Sequence, residues 1–244
     1  MTPGAIPMLA HLHVPKCAGG AVNQVLRERF AGRYLHGFPK DVEPALRAHV
    51  AAGTTGEIDV IMGHVLFGIQ DIIDRPSICF SAVRDPISRI CSYFNFVHTF
   101  PSLAAHKQIK MQLKDLNEIT PERLRSIANF RVQWRNALCR AYTGNMRVNS
   151  AEWSDVWSLI SSRIESGKLI VGDLDYITSW MRDMQILGDS EDLPKQKVTQ
   201  VDRFNDYVVA RPEMLTSKTV NRLRKWNEHD LRLMDKLSSM GLVG

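Results

Sequence analysis

Lys16 stands in HVPKCAGGA, between an apolar run that ends at Val14 and an amphipathic stretch that starts at Ala21. A lysine beside Gly19 and Gly20 in such a place could hold an anion. Glycines let backbone N–H groups approach, a helix N-terminus adds partial positive charge and the ammonium adds a full one. On that reading Pro15, Lys16, Cys17, Ala18, Gly19, Gly20 and Ala21 cradle a phosphate. The same residues also fit a tight strand-to-helix turn whose lysine is merely solvated, and the segment alone does not decide. Because the lysine precedes the glycines, GxxxxGK[ST] is not met and an ordinary ATP or GTP loop is not supported.

A second stretch, SICFSAVRDPISRICSYFNF, carries Arg84, Asp85, Pro86, Arg89 and Ser92. An apolar run delivers Arg84 at its end, Asp85 and Pro86 suit the cap and first turn of a helix, and Ser92 follows within two turns. An arginine fork and a hydroxyl beside a helix start would make a second phosphate site. The alternative is a structural ion pair between Arg84 and a carboxylate such as Asp85. Two anion sites on two strand ends would suit a nucleotide phosphorylated at both its 5′ and 3′ positions.

Those residues need elements to position them. MLAHLHV, IDVIMGHV, SICFSAV and GKLIVGDL have strand length and β-branched content, whereas AVNQVLRERF, PISRICSYFNFV and residues 121–142 have helical spacing. Strands alternating with helices predict an α/β fold, a central parallel sheet flanked by helices in three layers, with ligands at the carboxyl ends of the strands. The tail from Thr216, with Val220, Leu223, Leu231, Met234 and Leu237 on one face and Gly241 at its end, predicts one long amphipathic surface helix. Alternation puts His11 and His13 on one side of the first strand, turned away from the strand-end loop, as structural residues.

The chain has 244 residues and a formal net charge of +5, a mild basic excess that fits anionic small molecules or glycans rather than nucleic acid. Nothing divides it, so residues 1–244 read as one domain. Cys17, Cys79, Cys91 and Cys139 form no CxxC pair, and neither a zinc site nor a disulfide framework is indicated. No secretory leader or membrane-length apolar stretch is present, so the expectation is a cytoplasmic protein with no membrane insertion.

Together the two motifs resemble those of the carbohydrate sulfotransferases that use 3′-phosphoadenosine 5′-phosphosulfate (PAPS), especially the heparan/uronyl 2-O-sulfotransferase-like branch. Their hhPKTAGT and RDPhxRhhSxY read here HVPKCAGG and RDPISRICSYF, with the arginine-to-serine spacing intact. The resemblance implies a P-loop-like sulfotransferase fold, the 5′-phosphosulfate on the first motif and the 3′-phosphate on Arg84 and Ser92. It places the catalytic histidine at His64 in IMGHVLFGI, acceptor-side residues at Arg131, Gln133 and Arg135, and lid residues over the nucleotide at Lys197 and Thr199. Cys17 replaces the usual threonine, and Gly20 and Ala21 replace Thr-Ser, so backbone donors must carry more of the 5′ site.

The implied activity is that of a bacterial-type transferase of the EC 2.8.2 kind, moving a sulfuryl group from PAPS to a hydroxyl of a carbohydrate or other acceptor, including anionic ones, with no metal. Lys16 would stabilise charge on the leaving oxygen and His64 would accept the hydroxyl proton. Without the flanking motifs His64 would read as a core or capping residue. The rivals are a nucleotide kinase-like phosphotransferase and a non-catalytic nucleotide- or glycan-binding module. Trp134 is expected in the core, and Lys107, Lys110 and Lys114 on a solvated helical face.

Overall fold

A computed structural model describes residues 7–99, 109–126, 134–145, 147–194 and 207–244, with backbone alone over 124–126. Arg131, Gln133, Lys197, Thr199 and Lys107 lie outside the described residues.

The strands are β1 (Met8–Leu12), β2 (Tyr34–Gly37), β3 (Val60–Gly63), β4 (Ser77–Ala82) and β5 (Leu169–Gly172), all parallel in the order β2-β3-β1-β4-β5. Four were expected from their apolar runs, and β2 was not. It is a short edge strand of half-exposed residues, so it lacks the continuous apolar run of its neighbours. β1 lies at the centre and is buried throughout. The chain leaves β1 toward β2 on one side and β4 toward β5 on the other, so the crevice between the ends of β1 and β4 is the topological switch point.

The helices are α1 (Gly19–Arg29), α2 (Pro39–Ala52), α3 (Pro86–Thr99), α4 (Pro121–Ser126), α5 (Ala137–Thr143), α6 (Trp153–Glu165), α7 (Leu174–Asp183), α8 (Ser217–Trp226) and α9 (Glu228–Ser239). Alternation along β1 divides the core. Met8, Ala10 and Leu12 pack with residues of α2, α5, α6 and α9, while Leu9 packs with Val22 and Leu26 of α1 and Ile177 and Met181 of α7. A third cluster joins α3 to Leu223 and Trp226 of α8, with Trp134 fully buried in it, as expected. Lys114 is exposed and Lys110 partly so.

Two helix expectations need correction. The tail is two helices, because the side chain of Asn227 donates to the carbonyls of Trp134 and Leu223 and accepts from the Asn136 N–H. Its second half is the amphipathic surface helix expected, with Leu233 and Leu237 entering the core while Arg232, Asp235 and Lys236 face solvent. Residues 121–142 likewise do not form one helix, because α5 starts afresh after Asn136, whose φ is 43°. Asn136 accepts from the N–H groups of His229 and Asp230, and the Asp230 carboxylate accepts from those of Leu138 and Cys139. This buried polar knot ties α5 to α9.

Among the described residues no helix is long and apolar enough to cross a membrane, and no group of three or more His, Cys, Asp or Glu side chains is placed to hold a metal ion. All four cysteines are free and buried.

Candidate functional site

The turn after β1 is built against ordinary backbone preference. Lys16 has φ 70° and Ala18 φ 58°, both left-handed and neither a glycine. Each costs on the order of 1 kcal/mol or more, a strain that concentrates at functional turns. α3, α7 and α8 have their first turns capped by Asp85, Asp173 and Thr216, whereas α1 has no side-chain cap. The N–H groups of Lys16, Ala18, Gly19 and Gly20 have no partner among the described residues. Successive free N–H groups in a turn with left-handed residues form a concavity that suits an anion.

Lys16 completes that concavity. Its Nζ lies 4.5 Å from the centre of the Phe96 ring on α3, so the aromatic face holds the ammonium between the two motifs. Burial lowers its pKa, and the nearby Arg84 lowers it further. Arg84 is exposed at the end of β4, Ser92 is half-buried on α3, and the Arg84 backbone lies close enough to the Cys17 thiol to favour its charged form slightly. The two loops therefore touch at the switch point. The ion pair between Arg84 and Asp85 is not formed, since the Asp85 carboxylate accepts from the Ser88 N–H at 2.7 Å. The Cys17 thiol is pushed up to about 12, chiefly by burial, so it serves as a neutral packing group.

His64 sits just past the end of β3. Gly63 has φ 133°, and a Cβ there would lie 2.1 Å from the Gly37 carbonyl oxygen. The absence of a side chain lets β2 and β3 close together, and the His64 N–H donates to that same oxygen at 3.1 Å. Its Nδ1–H donates to the His13 carbonyl at 2.9 Å, which leaves Nε2 with a free lone pair. Burial lowers its pKa and that hydrogen bond partly offsets the shift, so the ring is neutral at neutral pH.

His13 corrects the sequence reading. β1 ends at Leu12, so His13 stands at the strand end rather than inside the sheet. Its ring stacks on His64 with centroids 4.6 Å apart and on His11 at 5.8 Å, and it packs against Gly19, where a Cβ would lie 1.9 Å from its Cδ2. Gly19 is therefore glycine to admit an imidazole, a different reason from the close anion approach expected of it. His11 does lie on the same side, within the core against Phe80.

Phe38, which the sequence reading did not single out, is 50% exposed just after β2, its ring 5.2 Å from that of His64. An exposed phenyl ring beside a histidine is a signal only once the fold brings them together. Arg89 is fully buried, and its three guanidinium nitrogens have no hydrogen-bond partner among the described residues. It acts electrostatically on Cys17 and on the buried Arg140, adding positive potential behind the turn. Arg135 lies with its guanidinium 5.2 Å from the Trp226 ring centre, at the α3–α8 cluster.

Pro15, Lys16, Cys17, Ala18, Gly19, Gly20, Ala21, Arg84 and His64 thus converge on the carboxyl ends of β1, β3 and β4. No protein-family model matches this chain, and no curated protein matches it.

Proposed function

We propose that this protein is a PAPS-dependent sulfotransferase with a P-loop-like sulfotransferase fold, acting on a carbohydrate hydroxyl. The observation that carries the reading is the uncapped turn after β1, strained at Lys16 and Ala18 and in contact with the Arg84 loop. One concavity suits the 5′-phosphosulfate, and Arg84 with Ser92 suits a 3′-phosphate. The acceptor oxygen attacks sulfur as the S–O bond to the 5′-phosphate breaks. The hydroxyl proton passes to His64 Nε2, the electron pair stays on the phosphate oxygen, and Lys16 stabilises that charge. Phe38 beside His64 supplies an apolar platform of the kind on which a sugar ring stacks.

Calorimetric titration with 3′-phosphoadenosine 5′-phosphate, ADP and ATP tests the reading. Tight binding is expected of the first alone. Arg84→Ala should weaken it by on the order of 2 kcal/mol, about thirtyfold, with little effect on ADP. A preference for ATP with magnesium would instead identify a phosphotransferase.

A further inference from the structure

The imidazole beside His64 has its own chemistry. Asn23, on the first turns of α1, is buried and lies between two histidines. Its Oδ1 is 2.6 Å from His11 Nδ1, and its Nδ2 is 3.3 Å from His13 Nδ1. The amide nitrogen can only donate, so His13 Nδ1 must accept and the proton of the neutral ring sits on Nε2. That Nε2–H has no partner among the described residues. Gly19 packs against the face of this ring, where a Cβ would be 1.9 Å from Cδ2 and 2.4 Å from Nε2. Gly19 is itself one of the residues of the turn whose N–H has no partner among the described residues. The ring thus touches both His64, the group that takes the proton, and Gly19 at the start of α1, in the turn that holds the donor.

We propose that His13 is a neutral hydrogen-bond donor to the sulfuryl group as it passes from the turn to the acceptor, with Asn23 fixing the proton on Nε2. The role rests on the sulfotransferase reading and adds a third side chain to Lys16 and His64. A neutral donor suits the position, because a cation stacked on His64 would make its imidazole a poorer base. The groups that face His13 are His64, His11, His36 and Lys16, and with burial as the leading cause they push its pKa down to about 2. The ring therefore stays neutral wherever the protein is folded near neutral pH. Gly19 is needed for the ring to sit against the turn, since a Cβ there would overlap its Cδ2, Nε2 and Cγ atoms.

Three measurements on the full chain test the role. Long-range 15N NMR of the histidine rings should show His13 as the Nε2–H tautomer, and an Nδ1–H tautomer would overturn the proposal. Titration with PAPS should shift the His13 Nε2–H resonance together with the backbone amides of Ala18, Gly19 and Gly20. A response of the amides without His13 would overturn the donor role while leaving the nucleotide site intact. No response anywhere would overturn both the donor role and the sulfotransferase reading. His13→Phe keeps a ring on His64 but removes the donor, and should weaken PAPS about tenfold while changing 3′-phosphoadenosine 5′-phosphate, which lacks the sulfuryl group, less than threefold. His13→Gln, which restores an N–H, should recover PAPS affinity to within about threefold. Equal weakening of both ligands by His13→Phe, or no recovery with glutamine, would show that the ring only packs. Should His13→Phe prove unfolded, the tautomer and the PAPS-induced shift in the unmodified protein decide.

Discussion

His64 is defined by where its two nitrogens are committed. Nδ1–H is spent on the His13 carbonyl, so Nε2 is left to accept a proton, and the depressed pKa keeps it available below the ordinary histidine range. Transfer should therefore fall with acidification along a limb whose midpoint lies below the unperturbed value of about 6.5. His64→Ala should retain nucleotide binding and lose transfer by a factor on the order of 100 to 10,000, and any residual activity should lack that limb. Unchanged turnover in the folded variant would make His64 structural. The strand-to-helix turn was legible in PKCAGG because it depends on local sequence. His13 was misplaced because alternation tells which side a residue faces and not where its strand stops. Phe38 and Asn23 carried no local signal at all, since their neighbours are set by the packing of α1 and β2 around β1.

At the scale of elements, the glycines of this site act through steric clearance. Gly63 has a left-handed φ and no room for a Cβ against the Gly37 carbonyl, so it sets the distance between β2 and β3 and the height of His64. Gly63→Ala should cost on the order of 1–3 kcal/mol of stability and reduce transfer, while 3′-phosphoadenosine 5′-phosphate binding stays within severalfold. Denaturation midpoints and calorimetry on one preparation separate these effects, and an unperturbed midpoint would show that β2 can retreat freely. The strands with long apolar runs were readable because burial on both faces leaves that signature, and the edge strand β2 leaves none. The break between α8 and α9 was hidden for another reason. Leu223, Met234 and Leu237 keep helical spacing across it, and only the buried hydrogen bonds of Asn227 to α8 and to Trp134 interrupt the helix.

The whole molecule buries histidines on both sides of its core, and this sets its response to acid. Burial is the leading cause that lowers His11 to about 4, His13 to about 2 and His98 to about 4. In the unfolded chain each returns to its ordinary value of about 6.5. The folded forms are therefore neutral where the unfolded ones are charged. Their contribution to stability is fully present above pH 6.5 and is lost as pH falls from there toward the folded values. Each proton bound by the unfolded chain alone is worth about 1.4 kcal/mol per pH unit. Between pH 5.5 and 4.5 the slope should reflect uptake of two to three such protons, counted from His11, His13 and His98. Urea denaturation at half-unit steps from pH 7 to 4.5 measures that slope directly. His98→Gln gives the control, because a glutamine amide can still donate to the Leu113 carbonyl that His98 Nε2 reaches at 3.0 Å, but it cannot take a proton. That variant should start from a lower stability, having lost ring contacts with Phe94 and Tyr207, and should descend less steeply by about one proton. A stability that is flat from pH 7 to 4.5 would mean that these rings are charged within the fold or exposed to solvent. Because the neutral stack of His11, His13 and His64 belongs to the same acid-sensitive set, loss of transfer and loss of fold should be resolved by measuring nucleotide binding at every pH. Binding should persist to lower pH than transfer, since Lys16, Arg84 and the backbone N–H groups of the turn hold their charge or dipole while the base is being protonated.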